Sequence, residues 1–129
     1  MNQNELVTFA QRFLSAWNSQ DVERVVGCYT EDIRYRDPNT KGAVKGAEAM
    51  RHYLRKLFAS WTMHWTFREG LPFADEEGAV VLWHASIRKA DGGQAVEVDG
   101  MDLILLRGDR IARNDVYFDR TALQSLLQS

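Results

Sequence analysis

The chain has 129 residues, of which 45% are apolar and 26% charged, with a formal net charge of −2. That length holds one domain with a sizeable core, and the composition excludes a disordered or collagen-like chain. Lys and Arg are scattered among acids, which excludes the basic footprint of a nucleic-acid binder, and no apolar run approaches the roughly 20 residues that span a bilayer.

The opening Met1-Asn2-Gln3-Asn4-Glu5 lacks the basic and apolar regions of a signal peptide. The single cysteine, Cys28, has no disulfide partner within the chain and reads as a small core residue. No Cys/His cluster has zinc spacing and no cofactor motif is present, so a cytoplasmic protein without metal or cofactor is expected.

Leu6, Phe9, Phe13, Leu14 and Trp17 recur at helical spacing and predict a first helix. Asn18-Ser19-Gln20-Asp21 breaks that pattern and offers an N-cap to a short second helix through Val22, Val25 and Val26, closed by Tyr29-Thr30-Glu31-Asp32. Ile33-Arg34-Tyr35-Arg36 alternates like a short strand before Asp37-Pro38. Asn39 to Gly46 reads as a polar loop. A third helix follows, with Met50, Tyr53, Leu54, Leu57 and Phe58 on one face and Arg51, His52, Arg55 and Lys56 in water.

The second half predicts four strands, over residues 61–73, 79–89, 95–106 and 111–118. Asp75-Glu76-Glu77-Gly78, Asp91-Gly92-Gly93 and Arg107-Gly108-Asp109 are the turns between them, and Pro72 marks a bulge or an edge. A short helix from Thr121 to Leu127 ends the chain. Helices first and a meander afterwards is an α+β arrangement, with residues 1–129 forming one domain and the helices on one face of a curved sheet.

On the third long strand Val98, Gly100, Asp102 and Ile104 share one face, and Met101, Leu103 and Leu105 the other. Both faces are apolar, yet the helices cover only one, so a second copy of the chain is expected on the other, as a homodimer. Asp102 interrupts an apolar run, and a carboxylate there must be protonated, hydrogen-bonded or open to a cavity. Asn114 is likewise a polar group alternating with Ala112, Val116 and Phe118. On the second long strand either Trp83 or His84 faces the pocket, but not both.

Several segments together resemble the nuclear-transport-factor-2-like (NTF2-like) superfamily, in its SnoaL-like and ketosteroid-isomerase-like branch. They are Phe13-Leu14-Ser15-Ala16-Trp17-Asn18 with Asp21, Tyr29-Thr30-Glu31-Asp32 leading to Asp37-Pro38, and Gly46-Ala47-Glu48-Ala49-Met50. Gly100-Met101-Asp102 and Val116-Tyr117-Phe118-Asp119 complete the set. The resemblance implies a cone-shaped fold, three helices against a strongly curved mixed sheet, with a pocket at the open end. In the isomerases an Asp-Pro aspartate is the general base, a role that falls on Asp37. A second, protonated aspartate on a later strand stabilises the enolate oxygen, and it matches Asp102. Where those enzymes carry a tyrosine as main donor this chain has Phe13, which has no hydroxyl; Tyr29 and Tyr53 stand near the same wall.

The implied protein is a cofactor-independent isomerase, cyclase or dehydratase acting on an apolar carbonyl compound. Asp37 and Asp102 are its catalytic pair, and Phe13, Trp17, Tyr29, Tyr53, His84, Asn114, Val116 and Phe118 are its candidate ligand-binding residues. The alternative is a ligand-binding or dimerisation module of the same fold without catalysis. The ending Val116-Tyr117-Phe118-Asp119 is also similar to the epoxide-hydrolase branch, but the strand Val80 to Ile87 lacks that branch's Arg-x-Asp.

Overall fold

The computed structural model of the chain describes residues 1–127. The first helix, α1 (Gln3–Ser19), starts at a reciprocal cap: Asn2 Oδ1 accepts the Glu5 N–H at 2.8 Å, and the Asn2 N–H donates to Glu5 Oε1 at 2.9 Å. Gln20 ends it in the left-handed region, at φ 51°. Asp21 then caps α2 (Val22–Val26) by accepting from the Glu23 and Arg24 N–H groups.

The remaining elements are β1 (Tyr29–Arg36), β2 (Val44–Lys45), α3 (Ala47–Ser60), β3 (Trp61–Pro72), β4 (Gly78–Lys89), β5 (Val96–Arg107) and β6 (Arg110–Phe118). A 3₁₀ turn (Arg120–Leu123) and α4 (Gln124–Leu127) close the described chain. The six strands form one sheet in the order β2-β1-β6-β5-β4-β3, with β1 parallel to β6 and every other pair antiparallel. The result is an α+β fold with a curved mixed sheet. No helix among the described residues is long and apolar enough to cross a membrane.

Two local expectations are corrected. Tyr29 to Asp32 does not close α2 but begins β1, because the helix already stops at Gly27 and Tyr29 registers with Ile111 of β6. That pairing joins residues far apart in sequence, which no local pattern announces. Within the predicted loop 39–46, Val44 and Lys45 pair with Tyr35 and Arg34 as the short edge strand β2.

The helices are tied to the sheet through side-chain amides. Asn18 Nδ2 donates to the Trp65 carbonyl at 2.9 Å while its Oδ1 accepts the Trp65 N–H at 2.7 Å. Gln20 repeats the pattern on the Trp61 carbonyl (2.9 Å) and the Met63 N–H (2.7 Å), and Gln3 Nε2 reaches the Gly70 carbonyl at 3.1 Å. These bonds take up backbone groups that β3 presents on the side away from β4.

The inner face of the sheet carries Val81, Trp83, Ala85 and Ile87 from β4, Val98, Asp102 and Ile104 from β5, and Asn114 from β6, all buried. Helix α1 lays Leu6, Phe9, Phe13, Leu14 and Trp17 against this face. Trp17 is the hub, with ring centroids 6.0 Å from Tyr35, 5.9 Å from Phe58 and 5.4 Å from Trp65. In the last turn Leu123 and Leu126 are buried against the same core.

Gly100 makes room for the largest of these rings. It registers opposite Trp83, and a Cβ at that position would come within 2.7 Å of Trp83 Cζ2 and 2.8 Å of the Tyr117 carbonyl oxygen. Gly100→Ala is therefore expected to lower stability by about 1–3 kcal/mol, the usual cost of overpacking. Urea unfolding of both proteins checks it, and an unchanged midpoint would show that Trp83 shifts without cost.

Candidate functional site

Asp37 sits two residues beyond Tyr35, so strand alternation keeps both on the inner side of the cone. Pro38 ends the strand at that point. The Asp37 carboxyl is buried, at 7% exposure, and donors surround it. Tyr35 donates its hydroxyl to Oδ2 at 2.7 Å, and the Tyr53 hydroxyl, delivered by α3, donates to the same oxygen. The Asn39 and Thr40 N–H groups donate to Oδ1 at 2.7 and 3.1 Å. Donors converging on both oxygens suit a carboxylate, which only accepts. The same arrangement holds the phenols neutral: burial, and then the Asp37 charge, push the Tyr35 and Tyr53 pKa values up.

Asp102 stands in the opposite environment. It lies on β5 between Val81 and Val116 in the ladder and is 5% exposed. Trp83 Nε1 donates to its Oδ1 at 3.0 Å. Burial drives its pKa up from 3.8 to about 7, opposed by Trp83 and by the Asn114 amide, with the Asp37 charge adding to the rise. Asn114 is itself fixed, accepting from the Tyr29 hydroxyl at 2.8 Å and donating to the Leu103 carbonyl at 3.4 Å.

The two carboxyls wall adjoining chambers. The chamber beside Asp37, about 40 Å³, is bounded by Asp37, Tyr35, Trp17, Trp65, Trp83, Phe118 and Leu123 among others. The chamber beside Asp102, about 20 Å³, is bounded by Leu14, Trp17, Tyr35, Trp65, Asp102 and Val116. Trp17, Tyr35, Trp65 and Val116 belong to both. A larger cleft of about 360 Å³ lies elsewhere on the surface, lined by Arg12, Arg24, Cys28 and Arg110 with Phe9 and Phe13, and it holds neither aspartate. We place the site in the smaller chambers because the buried acids are there.

The structure thus brings Asp37, Asp102, Trp17, Val116 and Phe118 around one interior space. Tyr53 and Asn114 stand behind it, hydrogen-bonded to Asp37 and packed beside Asp102. Tyr29 is engaged with Asn114. Phe13 is 1% exposed and wedged between Phe9 and Tyr29, at 6.3 and 6.1 Å, so it supports the Tyr29 ring rather than walling either chamber.

His84 is a correction. Registered opposite Asp99, it points to the outer face, where its ring nitrogens meet Asp99 and Glu97, each at 2.8 Å. Trp83 takes the inward place. Both His84 carboxylate contacts raise its pKa, Glu97 contributing most, and it has no part in the pocket. Sequence reading also missed Tyr35 as a partner of Asp37; the signal was present, since Tyr35 and Asp37 alternate onto one side of β1. Among the described residues no group of three His, Cys, Asp or Glu side chains is placed to hold a metal ion.

The profile of the SnoaL-like domain family matches residues 10–114. The chain belongs to that family. An NTF2-like protein of unknown function from Burkholderia pseudomallei shares 15% identity over 100% of both chains, with a TM-score of 0.82. TerC, crystallised with polyporic acid, matches at 17% identity over 95% of this chain and 98% of its own, with a TM-score of 0.80. A ketosteroid isomerase-like protein from Erwinia carotovora matches at 19% identity, 90% and 95% coverage and a TM-score of 0.71. At these identities the likeness is one of fold. No curated protein matches the sequence.

The raised Asp102 pKa has a stability consequence. The folded protein keeps this proton up to about pH 7, while the unfolded chain releases it near 3.8. The stability contributed by the neutral carboxyl is full below 3.8 and is lost as pH rises toward 7. Asp102→Asn, neutral at every pH, is expected to escape this loss. Its stability relative to wild type should grow across that window by up to about 1.4 kcal/mol per pH unit. Urea unfolding at a series of pH values checks it; parallel pH profiles would mean that Asp102 titrates like a solvated acid.

Proposed function

We propose that this SnoaL-like domain is a cofactor-independent proton-transfer enzyme, of the isomerase, cyclase or lyase kind, acting on a small apolar carbonyl compound. What supports the reading above all is that two aspartates in opposite environments wall adjoining chambers. Asp37, ringed by donors, takes the proton from carbon next to the carbonyl. The C–H electron pair becomes a carbon–carbon double bond and the carbonyl pair moves onto oxygen. Asp102, protonated below about pH 7, donates to that oxygen. Return of the proton from Asp37 to a different carbon completes an isomerisation.

Chamber size restricts the substrate. Drug-sized ligands occupy roughly 300 Å³ or more, whereas the two chambers offer about 40 and 20 Å³. A single small ring enters only if the aromatic walls and Leu123 give way slightly, and a steroid is far larger than the chambers. A suitable probe is a β,γ-unsaturated cyclohexenone, whose conjugated product absorbs in the ultraviolet. Asp37→Asn is expected to lower its turnover by roughly a hundredfold or more. Turnover kept by Asp37→Asn removes Asp37 from the reaction.

The second reading, a receptor without chemistry, draws on Phe13. No hydroxyl stands at that position, and Tyr29 and Tyr53 already donate to Asn114 and Asp37. Binding of the cyclohexenone without conversion on prolonged incubation would favour it.

The outer face of the sheet supports a homodimer. Val80 and Leu82 of β4 and Met101, Leu103 and Leu105 of β5 lie there half-buried, with Tyr117 at 47% and Leu71 at 51% exposure. Charged sets border them: His84, Glu97, Asp99 and Arg68 on one side, and Arg36, Asp115 and Arg113 on the other. An apolar centre with a charged rim is the anatomy of an interface. Sedimentation equilibrium is expected to give a dimer, and Leu103→Asp a monomer. A monomeric wild type at micromolar concentration removes the dimer.

A further inference from the structure

Arginines lie scattered along the sequence, but folding gathers three of them. Arg12 of α1, Arg24 of α2 and Arg110 at the start of β6 all line the surface cleft of about 360 Å³. Among the described residues none of the three has a carboxylate partner, whereas Arg36, Arg51, Arg68, Arg107 and Arg113 each reach one. Two acids line the same cleft and leave them unpaired. Glu23 takes the Arg51 Nε–H instead, at 3.2 and 3.0 Å to its two oxygens, and Asp109 forms no ion pair among the described residues. Phe9, Phe13 and Ala16 give the cleft an apolar floor, and the Arg12 guanidinium lies over the Phe9 ring, 5.5 Å from its centroid. The half-buried Cys28 thiol sits in the same wall, donating to the Arg24 carbonyl at 3.5 Å. Burial pushes the Cys28 pKa up and the Arg12 and Arg24 charges oppose that rise, so both guanidiniums stand near its sulfur.

From this we infer that the cleft is a second binding site, which takes a small organic oxyanion: a carboxylate or phosphate carried on an apolar body. The site is separate from the two-aspartate pocket and does not depend on what that pocket does. Three like charges lining one concavity repel one another, and a bound oxyanion removes that repulsion. Each guanidinium is a planar fork of N–H donors with no acceptor of its own, and the oxygens of a carboxylate or phosphate match that fork. The apolar floor supplies the contact for the body, so charge and body are recognised by different walls. Small-molecule sites run from roughly 300 to 1,000 Å³, and the cleft, at about 360 Å³, has that size where the two chambers do not. The chain as a whole carries a net charge of −2, which makes this concavity a local attractor for an anion that the rest of the molecule repels.

Cys28 is the chain's single cysteine, so a thiol reagent reports on this cleft alone. The probes are phenyl phosphate and benzoate, with inorganic phosphate as the charge without the ring and benzyl alcohol as the ring without the charge. At constant ionic strength, phenyl phosphate or benzoate is expected to slow alkylation of Cys28 by the uncharged N-ethylmaleimide and to shift the Gly27 and Cys28 amides in ¹⁵N spectra. Inorganic phosphate and benzyl alcohol are expected to need concentrations at least about fivefold higher for the same effect. Arg12→Gln and Arg24→Gln are each expected to raise the half-protecting concentration about tenfold. Arg55→Gln, an exposed arginine of α3 outside the cleft, is expected to leave it unchanged. The amide shifts decide the matter if the thiol reacts too slowly to follow. Neither protection nor amide shifts with either ring-borne anion would overturn the site. Equal weakening by Arg55→Gln would reduce it to general attraction, and equal potency of inorganic phosphate would overturn the role of the floor.

Discussion

Keeping one carboxyl dry inside the sheet is the constraint on which the rest of this structure depends. Asp102 lies in the ladder between two valines, where a bare charge would cost several kcal/mol. Burial therefore favours the neutral acid, and the N–H groups beside it only partly offset that. Trp83 reaches it with an N–H, and Trp83 can lie across β5 only because residue 100 has no side chain. Asn114 stands beside it and is held in turn by Tyr29, which leans on Phe13. A chain of contacts therefore runs from α1 through β1 and β6 to β4, with the Asp102 proton at its centre.

Asp37 obeys the opposite requirement a short distance away. Its position past the end of β1 frees backbone N–H groups to turn toward it, and two phenols from separate elements add their hydroxyls. The same side-chain type thus meets donors on both oxygens at one end of the pocket and, at the other, deep burial with fewer N–H partners. That contrast, rather than any single residue, is what the proposed proton transfer would draw on.

Much of this was legible in the chain, for reasons that differ by residue. Asp102 stood out because it breaks an apolar run, and alternation alone placed it on the face of Gly100 and Ile104. Asp37 carried no such mark; an Asp-Pro pair is an ordinary turn signal, and only the ordered set of family segments singled it out. Trp83 against His84 could not be decided, because the connection from Lys89 to Val96 is too long for a turn type to fix the register. The parallel pairing of β1 with β6 was hidden because it joins the two ends of the chain. For the same reason Tyr29 to Asp32 looks, in the sequence, like the close of α2 rather than the start of β1.

The amides of Asn18, Gln20 and Gln3 have a consequence beyond anchoring a helix. A six-stranded open sheet has two unsaturated borders, and a border with free backbone groups is a template on which further chains can add. Here one border is occupied along its length by side chains that imitate a neighbouring strand, and the other ends in the two residues of β2. Growth by strand addition is disfavoured at both ends.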